Sequence, residues 1–302
     1  MDRSEHPGVP QRPPASAELV MDSLDRYTDP FERLTGQIPA NDFTISRNQA
    51  LLYGYFTRLA ITQILLEYRI PTITPRNNTL VLTTSPAQNI YTVTLPEGFY
   101  SATSLAAAIE QAVLALPGNP FAGFTATAGN DFGGITLDSP GVQFIVDAQY
   151  NNVPEDIYNA SRTAITVGAT PANLTTAANT QVLGAPQLTY TRYIDLVSDR
   201  MTKFQRVKDA TTKFPKNQTS IIARMYLTPP NQSNQITATA GIGSVPFDIC
   251  IDYNTPKHIK WSPDEAVNEL DFRLYDEYGD LLYWDKDLAP TEFQLTVLAS
   301  ET

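Results

Sequence analysis

The chain has 302 residues, 42% hydrophobic and 18% charged, a globular composition with room for one large β domain or two smaller ones. Its formal net charge of −11 argues against coating nucleic acid, because phosphate binding needs clustered Lys and Arg. The single cysteine, Cys250, excludes a disulfide within the chain and points to a reducing compartment. The start of the chain, Met1 to Pro7, is polar and lacks the apolar core of a signal peptide, and no apolar run approaches the roughly 20 residues that span a bilayer. Synthesis in a cytosol-like space is expected. With 15 Tyr, 13 Phe and 23 Pro against 21 Lys and Arg, the chain suits short strands joined by Pro-rich loops.

Residues 1–42 read as an N-terminal arm, interrupted by Pro7, Pro10, Pro13 and Pro14 and broken again at Pro30 and Pro39. This arm is either a disordered tail or a segment that orders against a neighbouring subunit. A long strand follows from Tyr53 to Tyr68. It carries apolar residues on both faces, such as Leu59, Ile61 and Leu65 on one and Phe56, Ile64 and Leu66 on the other, so it is expected to be covered on both sides for much of its length. Pro71 and Pro75 end it.

From Asn77 to about Leu183 the only base is Arg162. Strands are expected at Thr79–Thr83 and Ile90–Leu95, with a turn over Ser85–Asn89. After the Pro96-Glu97-Gly98 turn, Leu105, Ile109, Ala112, Val113 and Leu116 recur at helical spacing. The helix start is capped near Ser101 or Thr103 and its end is stopped by Pro117-Gly118. Short strands are expected at Phe124–Ala128, Ile135–Leu137 and Phe144–Val146, the first two as a hairpin through Gly133-Gly134. Residues 148–183 hold few large apolar side chains and read as loops.

From Pro186 onward alternation returns. Strands are expected over Ser220–Thr228, Phe247–Tyr253, Leu270–Tyr275 and Phe293–Leu298, with a turn at Asp276–Asp280 returning into Leu281–Trp284. One face buried and one solvated make a sandwich or barrel.

Catalytic groups are sparse. His6 lies in the arm, and His258 follows Pro256-Lys257 with no supporting motif, so neither a metal site with several His ligands nor a His-dependent nucleophile is indicated. Asp264-Glu265 and Asp276-Glu277 read as turn and edge residues, and Asp285-Lys286-Asp287 does not continue into a calcium loop. No cofactor is expected. Trp261, Trp284, Tyr275 and Tyr283 cluster near the C-terminus, as core, as an oligomer interface or as a sugar-binding platform. Charge is uneven: bases outnumber acids from Arg192 to Lys216, whereas acids dominate from Asp248 onward. This is either a solvated surface or a pair of complementary faces that meet between subunits.

Several runs resemble penton proteins, the vertex subunits of adenoviruses, virophages and polinton-like viruses. Leu95-Pro96-Glu97-Gly98-Phe99-Tyr100-Ser101, between a strand and a helix, resembles their insertion domain. Tyr55 to Thr62, leading to Ile70-Pro71 and to Arg76-Asn77-Asn78-Thr79, resembles the strand that enters it. Tyr193 to Arg200 resembles the return, and Glu269 to Asp276 the closing strands. No Arg-Gly-Asp is present, and residues 148–183 match nothing in the family.

The resemblance implies a mainly β fold, a single jelly-roll β-sandwich interrupted by a small α+β insertion domain, with an extended N-terminal arm. The divisions are an arm over 1–42, jelly roll over 43–76 and 186–302, and the insertion domain over 77–185. It implies a structural, non-enzymatic protein of the virion, made in host cytoplasm or a viral factory. Five copies would form the icosahedral vertex beside the major capsid protein and other minor capsid proteins, with no membrane span and no nucleic-acid partner. Candidate subunit-interface residues are Arg200, Lys203, Arg206, Lys208, Trp261 and Trp284. The alternative is a carbohydrate-binding β-sandwich of lectin or fibre-head type, and a third reading is a glycoside-cleaving enzyme.

Overall fold

The computed structural model describes residues 16–35, 38–46, 50–51, 54–129, 134–148, 154–204, 220–227, 247–262, 266–285 and 291–301. The first strand, β1 (Ser16–Asp22), alternates, with Met21 buried and Glu18 and Val20 exposed. A 3-10 turn over Ser23–Arg26 and a short helix, α1 (Pro30–Thr35), lead to β2 (Asp42–Ser46). The guanidinium of Arg26 is buried and grips the Glu292 carboxylate through two hydrogen bonds of 2.7 and 2.8 Å. The stretch expected as an arm is therefore part of the fold from Ser16 onward. The period-two pattern Ala17, Leu19, Met21 drives it onto the sheet, and the Arg26–Glu292 pair fixes its end. The first 15 residues lie outside the described ones.

Strand β3 (Arg58–Tyr68) is buried at Leu59, Ala60 and Ile61 in succession, then alternates, with Gln63, Leu65 and Glu67 exposed against buried Ile64, Leu66 and Tyr68. Coverage on both sides is thus confined to its first turn of residues. The chain then builds β4 (Thr79–Ser85), β5 (Ile90–Thr94), α2 (Ala102–Leu114), β6 (Thr125–Ala128), β7 (Ile135–Asp138) and β8 (Gln143–Asp147). Ser101 caps α2 by accepting from the Ser104 N–H, and Leu105, Ala106, Ile109 and Val113 form its buried stripe.

The expected loop region folds instead into α3 (Pro154–Thr166), α4 (Pro171–Thr175) and β9 (Thr180–Val182). The reason is chemical: the inward side of α3 is made of Ala160, Arg162, Thr163, Ala164 and Thr166, small and polar residues that a search for large apolar groups passes over. The chain closes with β10 (Tyr193–Val197), α5 (Asp199–Thr202), β11 (Ile221–Tyr226), β12 (Phe247–Asp252), β13 (His258–Lys260), β14 (Glu269–Tyr275) and β15 (Glu292–Ser300).

The strands form four antiparallel sheets. The largest runs β1-β15-β3-β12, with β13 also pairing β3; the second runs β11-β10-β14-β2. These two enclose one core, to which the first contributes Ile64, Leu66, Phe293 and Leu295 and the second Phe43, Leu196, Met225 and Phe272. The other two sheets, β5-β4-β8 and β6-β7-β9, share a separate core with α2 and α3, built from residues between Ile73 and Leu183. The molecule is mainly β, a sandwich carrying an α+β unit that enters after β3 and leaves before β10. No helix among the described residues is long and apolar enough to cross a membrane.

Phe293 stands where the two large sheets meet, its ring centroid 5.8 Å from Phe43 and 6.0 Å from Phe272. Phe293→Ala is expected to lower stability by about 3–5 kcal/mol, through lost burial and a residual cavity. Urea unfolding of the two proteins measures this, and equal midpoints would contradict the shared core.

Candidate assembly surface

The α+β unit is held to the sandwich by the turn that follows β14. Asp276 opens this turn, and its Oδ1 accepts from the N–H groups of Tyr278 (2.9 Å) and Asp280 (3.0 Å). Its Oδ2 accepts from the Arg162 guanidinium of α3 at 2.7 Å, with 2% and 0% side-chain exposure for the two partners. Arg162 also donates to the Tyr158 hydroxyl (3.0 Å), which in turn donates to Asp280. The guanidinium carbon lies 4.3 Å from the Tyr278 ring centre, 4.5 Å from that of Tyr190 and 5.2 Å from that of Tyr158. A desolvated cation enclosed by aromatic faces is stabilised by their quadrupoles.

Burial pushes the Asp276 carboxyl above its ordinary value, outweighing the opposite pull of Arg162. Burial pushes the Tyr278 phenol up to about 12. Around this centre Gln187 donates to Glu277 (2.9 Å), Arg192 donates to the same carboxylate (2.5 Å), and Arg76 donates to the Leu281 carbonyl (2.6 Å).

The opposite end of the sandwich carries α5. Ser198 caps this helix by accepting from the Met201 N–H, while Asp271 accepts from the N–H groups of Asp199 and Arg200. The Arg200 side chain pairs with Glu269 at 2.9 Å, and Lys203 lies 5.0 Å over the Phe204 ring. Phe204 meets Trp261 edge-on at 5.2 Å. Arg200, Lys203 and Trp261 are thus brought together, whereas Trp284 follows the 276–280 turn at the far end of β14. Arg206 and Lys208 lie outside the described residues.

Trp261 is 5% exposed, so within the subunit it is core rather than an accessible ring. The basic segment and the acidic C-terminal block also pair with each other inside one chain, through Arg192–Glu277 and Arg200–Glu269. The reason is topological: β10 and β14 are hydrogen-bonded neighbours, so segments distant in sequence share one sheet.

Sequence reasoning missed the bases Arg58 and Lys260. They are exposed and directly opposite one another where β13 pairs β3, beside exposed His258 and Lys257. The run Lys257-His258-Ile259-Lys260 was the available signal. Among the described residues no group of three or more His, Cys, Asp or Glu is placed to hold a metal ion.

No family model matches the sequence, and no curated protein is similar to it. Among solved structures, the mavirus penton protein is similar with a TM-score of 0.50 at 11% identity, covering 95% of this chain and 99% of that one. A chain of the Sputnik virophage, solved by cryo-electron microscopy, superposes with a TM-score of 0.42 at 12% identity, covering 95% of this chain and 98% of that one. At such identity the mavirus likeness is one of fold.

Asp276→Ala strands a buried guanidinium and is expected to cost about 3–5 kcal/mol in chemical unfolding, whereas the double change Arg162→Met with Asp276→Leu is expected to cost much less. Equal losses would show that shape rather than uncompensated charge dominates. At the other end, hydrogen bonding from Ser220 and then from Arg273 holds the Asp199 carboxyl below its ordinary 3.8. Its stabilising contribution is therefore complete above the unfolded value and drains as pH falls through the folded one. Asp199→Asn is expected to flatten the acid limb of a stability-against-pH curve, and parallel curves for the two proteins would refute this.

Proposed function

We propose that this chain is the vertex subunit of an icosahedral virion, with five copies closing a ring at each five-fold position. The sandwich is read as a single jelly roll over residues 43–76 and 186–302, and the α+β unit as an insertion domain over 77–185. The observation that carries the reading is architectural: a two-sheet sandwich with a unit of this kind between β3 and β10, matching the mavirus penton protein over nearly the full length of both chains. Function in such a protein is surface complementarity rather than chemistry. Five copies in a ring use a heterologous contact, in which one patch of each copy meets a different patch of the next.

The ring would stand among major capsid proteins, with the insertion domain outward and the α5 end inward. The vertex reading is favoured over a glycan-binding one because two of the four clustered aromatics are engaged within the subunit: Trp261 is buried, and Tyr283 packs against Tyr190 at 6.2 Å and under Arg76 at 5.7 Å.

Co-expression with the major capsid protein, followed by cryo-electron microscopy of the shells, tests the proposal. Density for five copies at each vertex is expected. Shells that close with this protein absent from their vertices would overturn it.

A further inference from the structure

We propose that neighbouring copies join edge to edge through the largest sheet, the β13 edge of one copy lying beside β1 of the next. The inference rests on the ring of five copies proposed above and assigns the strands that meet in it.

Three observations carry it. First, among the described residues β1 ends the sheet on one side and β12 with β13 ends it on the other, so the sheet has two different edge strands. An edge strand exposes unpaired N–H and C=O groups and is a template for another strand.

Second, the two edges carry opposite charge at the same height. Ser16, Ser300, Arg58 and Lys260 stand in one row across the sheet, and Glu18, Leu298, Ala60 and His258 in the row two residues along. Arg58, His258 and Lys260 are exposed on one side, and Glu18 is exposed about 14 Å away on the other, three strand spacings distant. Arg58 and Lys260 face each other directly, an arrangement that is destabilising for like charges, and neither pairs with an acid among the described residues. An incoming carboxylate would relieve it.

Third, the strand directions fit. Each of the pairs β1–β15, β15–β3 and β3–β13 is antiparallel, so β1 runs opposite to β13. In a ring whose axis follows the strands every copy keeps its direction. The next copy's β1 then arrives antiparallel to β13, continuing the alternation of the sheet, with its Glu18 level with His258 and diagonal to Lys260.

Net charge sharpens the choice. Copies carrying −11 each repel one another, and at physiological salt the field is screened within about 8 Å, so contact-range cations decide where an acidic neighbour settles.

The test uses full-length protein co-expressed with its major capsid partner, in a Cys250→Ser background. Glu18→Cys together with His258→Cys should yield, on oxidation, a covalent ladder ending at five chains on a non-reducing gel. Residues directly opposite in an antiparallel pair have Cα atoms within disulfide range. Separately, Glu18→Lys alone and Lys260→Glu alone should each lower vertex occupancy at least roughly tenfold at low salt, and the two together should restore it. Unchanged thermal unfolding of each variant separates lost contact from lost folding. Five-fold vertices with no ladder and no effect of either reversal would overturn this edge pairing while leaving the vertex reading intact. Unmodified protein absent from every vertex would overturn that reading, and the pairing with it.

Discussion

The arrangement of the molecule depends on one buried ion pair, Arg162 with Asp276. The α+β unit is joined to the sandwich covalently only where the chain leaves β3 and where it returns to β10. Two connections at one edge act as a hinge line and leave rotation about it free. Arg162 projects from α3, well away from both connections in sequence, and meets the turn after β14. That attachment, with the Tyr158–Asp280, Gln187–Glu277 and Arg76–Leu281 bonds around it, restrains the remaining freedom. An ion pair is suited to the task because of its selectivity rather than its net strength: a buried pair returns little against an apolar replacement, but a small displacement leaves a bare charge in a dry site. The tyrosine faces around the guanidinium and the backbone N–H groups on Asp276 narrow the permitted geometry further.

The same pair explains what was legible in the sequence. Strands with large apolar residues at period two were mostly readable: β14 through Leu270, Phe272 and Leu274, β15 through Phe293, Leu295 and Val297, and β4 with β5 as a hairpin, whereas β2, with Phe43 and Ile45, was passed over. The α2 cap at Ser101 was readable because capping is local. Helix α3 was not, because its buried side is polar and its partner lies 114 residues away. A lone base in a long acidic stretch was visible as an oddity, but its meaning required the tertiary contact. Likewise β1 was hidden by the prolines before it: its apolar residues are few, and its pairing strand β15 is the last in the chain.

Charge was the least legible property. Summed along the sequence, bases gather at 192–216 and acids toward the end, which invites a picture of two opposed faces. Antiparallel pairing of β10 with β14 brings parts of those stretches together, so Arg192 meets Glu277 and Arg200 meets Glu269 inside the subunit. What remains outside is set by strand ends, where short-range sequence gives little warning. Arg58 opens β3 and Lys260 closes β13, and only their pairing makes a patch.

The α+β unit constrains assembly in another way. Between Asn77 and Leu183 its acids are Glu97, Glu110, Asp131, Asp138, Asp147, Glu155 and Asp156, and its one base is Arg162. That base is buried against Asp276, so the charge the unit presents to solvent is negative alone. Units of this kind repel when brought together, and the repulsion is weak at a separation beyond the screening length and steep within it. Attraction between copies has to come from elsewhere on the subunit, and the sandwich is where exposed cations remain.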